Sequence, residues 1–244
     1  MLNHRLINRS QENLAAKLLE NARGQTPLCI EQIDILLRLI SAAVEPLDNF
    51  LCIGPDLALL ASAITDEHAG AHGMLLATSV AEAEEAHLQL RTHGRPSRVQ
   101  VILLPAAGRS ETLGKNIYSA VICGSSAGRL GSNRRDHFNA CHRLIRPGGL
   151  LLNVEPVASA TRWRESMLED YIINAIFGED LVLGVGKTRA EIARAHFRRT
   201  PNAMRDTAVP LEVQCDWLRE IGFESVDCYS KVAELAIFGG QRAL

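Results

Sequence analysis

A glycine and an acid lie between an apolar run and a helical pattern in residues 49–60, NFLCIGPDLALL. Glycine allows a backbone to approach a ligand closely, and the carboxylate of Asp56 can accept hydrogen bonds. Where such a turn follows a strand of an open parallel sheet, it lies at the edge where ligands bind. Gly54 and Asp56 are therefore the first binding candidates, provided that residues 49–53 form such a strand.

The elements around this turn follow an alternating pattern. Segments that are nearly all apolar predict strands, and the segments between them have helical spacing or helix-start signals, such as the capping-box spacing of Ser79 and Glu82. Apolar strands separated by helices are typical of a doubly wound parallel sheet covered on both faces. The predicted strands are 49–54, 73–78, 99–104, 117–124 and 148–156.

The rest of the chain predicts helices and a hairpin. Helical patterns occupy 10–23, 31–44 and much of 161–200, and residues 211–221 form a helix that ends at Gly222. Two strands joined around Val232 and Ala233 follow it. The predicted domains are an N-terminal helical segment, a core, a helical insert and a C-terminal segment that completes the core, at 1–45, 46–156, 157–208 and 209–244.

Net charge, apolar segments and the spacing of cysteines and histidines indicate what kind of protein this is. A net charge of -2 gives no electrostatic argument for a nucleic-acid or membrane partner. The first residues have no apolar stretch typical of a signal peptide, and no window is long and apolar enough to span a bilayer, so we expect a cytoplasmic protein. Six scattered cysteines without a CxxC pair are expected to be reduced. His137 and His142 are five residues apart, so we expect no metal site.

Three motifs resemble the class I S-adenosylmethionine-dependent methyltransferases. They are LIRPGGLLLN (144–153), WLREIGFESVDCY (217–229) and ELAIFGG (234–240), the last similar to a small-molecule subgroup. The resemblance covers about 31–155 and 209–241. It implies a Rossmann-like seven-stranded sheet of order 3-2-1-4-5-7-6 with strand 7 antiparallel, S-adenosylmethionine as cofactor, and an insert that acts as a lid over the acceptor site.

The residues that bind the cofactor in that family are altered in this chain. Its loop DxGxGxG places Cys52 at the acid position, with Gly54, Asp56 and Ala58 at the glycine positions. The other candidate cofactor contacts lie where strands two, three and four end. An alanine and a proline stand there in place of the family's ribose and adenine acids. These contacts are Ala77, Thr78, Ser79, Pro105, Ala106, Cys123 and Ser125.

Two functional interpretations remain open at this point. The first is a methyltransferase acting on a small molecule, with His142, Tyr171 or Glu155 as candidate bases. The second is a degenerate relative without methyl transfer. It would be a binding or scaffolding subunit, as a homo-oligomer or beside an active homologue, or would hold another ligand. A nicotinamide-dependent oxidoreductase is disfavoured because a GxGxxG motif is absent.

Overall fold

The computed structural model describes residues 30–93, 98–104, 110–124, 130, 133–158, 161–182, 184, 186–199, 209–232 and 235–244. The predicted helix at 10–23 lies outside these residues. Contacts divide the chain into two compact units, one of residues 27–157 with 209–244 and one of residues 1–26 with 158–208.

The first unit contains a seven-stranded sheet. Its order is β3-β2-β1-β4-β5-β7-β6, with the first five strands parallel and β7 antiparallel to both of its neighbours, which confirms the predicted Rossmann-like topology. The strands are β1 Asn49–Ile53, β2 His72–Ala77, β3 Val99–Leu103, β4 Tyr118–Cys123, β5 Ile145–Pro156, β6 Phe223–Val232 and β7 Leu235–Arg242.

Helices follow β1, β2 and β4, as the alternation predicts. A 3-10 turn, Pro55–Leu57, separates β1 from the next helix, whereas the sequence predicts a helix over 56–65. The helices of this unit are α1 Ile30–Ala43, α2 Ala58–Glu67, α3 Val80–His93, α4 Arg134–Leu144 and α7 Leu211–Ile221.

Two apolar clusters cover the two faces of the sheet. Phe50, Cys52 and Leu75 belong to the cluster packed with α1, α2 and α3. Leu51 and Phe238 belong to the cluster packed with α4 and α7. Because both faces are buried, the strands are apolar along nearly their whole length, which is why the pattern predicts them well.

The second unit contains α5, Arg162–Val182, and α6, Arg189–Arg199, in the range 161–200 where the sequence predicts much helix. Arg189 joins them, because its guanidinium donates to the Asp170 carboxylate and to Asn174 Oδ1, each at 2.7 Å. Whether this unit acts as a lid stays a prediction. No helix among the described residues is both long enough and apolar enough to cross a membrane.

Candidate functional site

The carboxyl ends of β1 and β4 meet where the strand order reverses. Gly54 follows β1 and Gly124 follows β4, and the Gly124 amide donates to the Ile53 carbonyl at 2.9 Å. Gly54 has a φ of 116°, which a side-chain-bearing residue adopts only with strain. A crevice outside strand ends at such a reversal is the usual ligand site of open α/β sheets.

Asp56 lies in this crevice. A Cβ atom at Gly124 would lie 2.5 Å from Oδ1 and 2.6 Å from Oδ2 of Asp56, so the carboxylate rests directly on the glycine backbone. The 3-10 turn that carries Asp56 also packs against α3 and β2. The residue in the second glycine position therefore presents a carboxylate at the crevice instead of a bare backbone.

Cys52 does not replace the acid that the family has at its position. Its side chain is fully buried in the cluster beneath α1, α2 and α3. Burial, and secondarily the neighbouring Cys123 and Asp56, raise the pKa of the Cys52 thiol, so it is neutral at physiological pH. It can offer a ligand no charge.

An acid that the sequence analysis missed lies at the end of β2. Ala77 is buried and offers no hydrogen-bonding side chain, but Glu82 of α3 folds back over Thr78. Its carboxylate accepts from the Thr78 amide at 2.7 Å and from the Thr78 hydroxyl at 2.9 and 3.0 Å. A carboxylate therefore stands near the predicted ribose position, supplied from five residues further along the chain.

The capping-box spacing was the available signal for this acid. Ser79 Oγ accepts from the Glu82 amide at 3.2 Å, which confirms a capping serine. In an ordinary box the carboxylate returns to the capping residue's own amide. Here the Thr78 amide and hydroxyl are its donors, one residue earlier, and this draws Glu82 toward the strand end.

Of the remaining predicted cofactor contacts, Cys123 is described and lies apart from this group. Cys123 belongs to the apolar cluster beneath α4, with Phe138 and Cys141, so its thiol packs under the helix. Pro105, Ala106 and Ser125 lie outside the described residues.

The three candidate bases occupy separate places. His142 is in the last turn of α4, at the amino edge of the sheet, and its ring packs edge-on against Phe223 at 5.0 Å between centroids. That position removes it from chemistry at the carboxyl edge. Glu155, near the end of β5, is paired with Arg134. Tyr171 is exposed on α5 in the second unit.

A cleft at the opposite edge of the sheet is basic. Its lining includes His72, His87, Arg91 and Arg98, at the amino ends of β2 and β3 and along α3. Since ligands of this sheet type bind at the carboxyl ends, Gly54, Asp56 and Glu82 remain the better candidate site.

No protein-family model matches the sequence, and no curated protein matches it. Solved structures do match. The methyltransferase SibL, solved without ligand, is 16% identical over 87% of this chain with a TM-score of 0.54. An O-methyltransferase family protein from Burkholderia thailandensis is 12% identical over 99% of the chain, at 0.53. PigF, solved with S-adenosylhomocysteine, is 14% identical over 98%, at 0.52.

This chain corresponds to only part of each of these solved structures. The chain spans 55% of the SibL chain, 70% of the Burkholderia protein and 61% of PigF. At such identities the likeness establishes the fold alone. Together with the strand order, it shows that this chain has the fold of the class I S-adenosylmethionine-dependent methyltransferases.

Proposed function

We propose that the chain binds S-adenosylmethionine at the carboxyl ends of β1, β2 and β4 and transfers a methyl group to a small-molecule acceptor. The observation that carries the proposal is a pair of carboxylates, Asp56 and Glu82, on adjacent elements at this edge. Their chemistry fits the two polar ends of the cofactor, an ammonium and a ribose diol. PigF, a fold neighbour, was solved with the demethylated form of that cofactor.

Each carboxylate has a distinct role in the proposal. Asp56 accepts hydrogen bonds from the methionine ammonium, where the family usually relies on glycine backbone. Glu82, already oriented by Thr78, accepts from the ribose hydroxyls with its remaining lone pairs. Charge-assisted hydrogen bonds of this kind contribute about 1.5–3 kcal/mol each.

Catalysis then depends on placement more than on acid–base chemistry. When bound, the cofactor supplies an activated methyl group. The protein orients the acceptor against it, and such proximity can contribute most of the rate acceleration. Glu155 remains ion-paired with Arg134, so we assign it to holding β5 against α4.

Calorimetric titration with S-adenosylmethionine, and separately with S-adenosylhomocysteine, tests the binding step. We expect micromolar affinity for the wild-type chain. Asp56→Asn and Glu82→Gln should each weaken binding by about 10- to 100-fold, since each removes one charge-assisted interaction. Glutamine still satisfies a capping box, so Glu82→Gln should fold normally.

Glu84→Gln is the matched control, because Glu84 is an exposed carboxylate on the same helix, two residues after Glu82. It should bind both ligands as the wild type does. Absence of heat up to millimolar ligand, in protein shown by circular dichroism to be folded, would overturn the proposal for the isolated chain.

A second candidate function is a binding subunit without methyl transfer, in a homo-oligomer or beside an active homologue. One observation favours it: Trp163, Met167 and Tyr171 are exposed at four-residue intervals along α5. Apolar surface of this kind often marks a contact with another protein. Sedimentation velocity distinguishes the two arrangements. The mass of a self-associating chain rises with concentration. A monomer at all concentrations would leave only association with an active homologue.

A further inference from the structure

A second group of reactive side chains lies beneath the carboxyl end of β4. Cys123 is the last residue of that strand, and His137 and Cys141 lie one helical turn apart on the facing side of α4. All three are buried, with exposed fractions of 4%, 6% and 0%. The proposed methyl transfer uses none of these side chains.

The three donor atoms are close to one another. Cys123 Sγ is 3.9 Å from Cys141 Sγ, and His137 Nε2 is 3.3 Å from Cys123 Sγ and 3.7 Å from Cys141 Sγ. Zinc bonds of about 2.3 Å to sulfur and 2.0–2.1 Å to nitrogen, at tetrahedral angles, place two sulfurs about 3.8 Å apart and sulfur and nitrogen about 3.6 Å apart. The observed triangle has nearly those edges.

We propose that Cys123, His137 and Cys141 bind a zinc-type divalent ion, with a non-protein ligand such as water in the fourth position. Two thiolates and an imidazole are the donor set that selects zinc over the harder magnesium and calcium ions. The proposal does not depend on the proposed methyl transfer. It takes three residues from two elements, strand β4 and helix α4, which pack against each other in the sheet unit.

His137 has a definite tautomer when no ion is bound. The Leu130 amide donates to His137 Nδ1 at 3.0 Å, so the ring proton of the neutral imidazole is on Nε2 and points at the sulfurs. Coordination through Nε2 requires the proton to move to Nδ1. The Leu130 amide must then give up this contact, so ion binding should shift its resonance.

The thiols must also lose their protons. Cysteine binds a metal ion as the thiolate. Ion binding should therefore release protons. Affinity should rise with pH for the same reason.

A disulfide is the competing outcome for the two cysteines. It would require the sulfurs to close from 3.9 Å to about 2.05 Å. Closing that gap would require one or both side chains to move, whereas the sulfur–sulfur and sulfur–nitrogen distances already match the edges of a tetrahedral zinc site.

The test is titration of the reduced, chelator-treated protein with Zn²⁺ and with Co²⁺. We expect one ion per chain, thiolate-to-cobalt charge-transfer absorption, and proton release, measured by calorimetry in buffers of different ionisation enthalpy. Cys141→Ser and His137→Gln should weaken Zn²⁺ binding by more than the roughly 10- to 100-fold that loss of an outer-shell partner costs.

Cys215→Ser is the control, because Cys215 is another buried thiol and lies on α7, outside the triangle. It should leave stoichiometry and absorption unchanged. If Cys141→Ser or His137→Gln fails to fold, the wild-type stoichiometry, the cobalt–thiolate absorption and the Leu130 amide shift still decide. No cobalt–thiolate absorption, or a Cys123–Cys141 disulfide formed in air together with no ion uptake, would overturn the proposal.

Discussion

At the scale of single residues, Cys52 shows why a family acid is absent. The side chain at this position enters an apolar cluster with Phe50 and Leu57, all with no exposed surface. A carboxylate there would lose its hydration, and its buried neighbours in that cluster are aliphatic or aromatic side chains that cannot compensate the charge. A cysteine packs as a small hydrophobe instead.

Restoring the acid should therefore harm the protein. We expect Cys52→Asp to lower the free energy of unfolding by about 3–5 kcal/mol, because it buries an uncompensated charge, and to leave affinity for S-adenosylmethionine no better. Urea unfolding followed by fluorescence measures the first effect and calorimetry the second. Cys52→Ala is the control for lost volume. A stable Cys52→Asp chain with tighter cofactor binding would contradict this account.

The residue scale is also where the sequence predicts least. Gly54 and Asp56 can be proposed from the sequence because they lie directly after their own strand. Glu82 is missed because it reaches Thr78 only when the first turn of α3 forms. The five-residue spacing of His137 and His142 predicts no metal site. In the structure, the side chains near His137 are instead those of Cys123 on β4 and Cys141 one turn further along α4. Spacing along one element cannot show such a triangle.

At the scale of elements, prediction succeeds because burial on both faces leaves a strong pattern. The parallel strands are largely apolar, α-helices lie in the connections that follow β1, β2 and β4, and the motif at 144–153 marks the entry to β5. The 3-10 turn after β1 is missed because its residues are compatible with a helix start. Whether one turn at a helix end is 3-10 or α depends on local hydrogen bonds that residue types alone do not determine.

The contact between His142, at the end of α4, and Phe223 should make stability depend on pH. His142 packs against Phe223, and burial, followed by the charge of Arg242, lowers the pKa of His142 below its ordinary value of 6.5. The unfolded chain therefore binds a proton here before the folded chain does. Stability should fall as pH drops from about 6.5 through the lower folded pKa, and level off below it.

Thermal unfolding between pH 7.5 and pH 5 measures this effect. His142→Gln should show a shallower loss of melting temperature than the wild type over that range, because it has no proton to bind. His87→Gln, at an exposed position on α3, is the control and should follow the wild-type curve. Parallel curves for the wild type and His142→Gln would show that this contact does not link pH to stability.

At the scale of the whole molecule, all seven strands belong to one unit and the two insert helices to the other. The sheet, both apolar clusters and the carboxylates Asp56 and Glu82 are contained in residues 27–157 and 209–244. The insert is thus not needed to close the hydrophobic core of the sheet.

A chain in which a short glycine–serine linker replaces residues 158–208 should therefore fold. We expect a native-like circular dichroism spectrum and one cooperative thermal transition, since the core keeps its strand pairings. Binding of S-adenosylhomocysteine by this shortened chain would locate cofactor affinity in the core. A spectrum without cooperative unfolding would show that the insert is required for folding.

The position of β7 has a consequence for synthesis. β7 pairs with β5 on one side and β6 on the other, although it follows both in the chain. When a ribosome has made residues up to 232, one edge of β5 is unpaired and β6 has no neighbour to join. The sheet stays open between these two strands until residues 235–242 emerge, so a nascent chain that ends at residue 232 presents an unpaired strand edge.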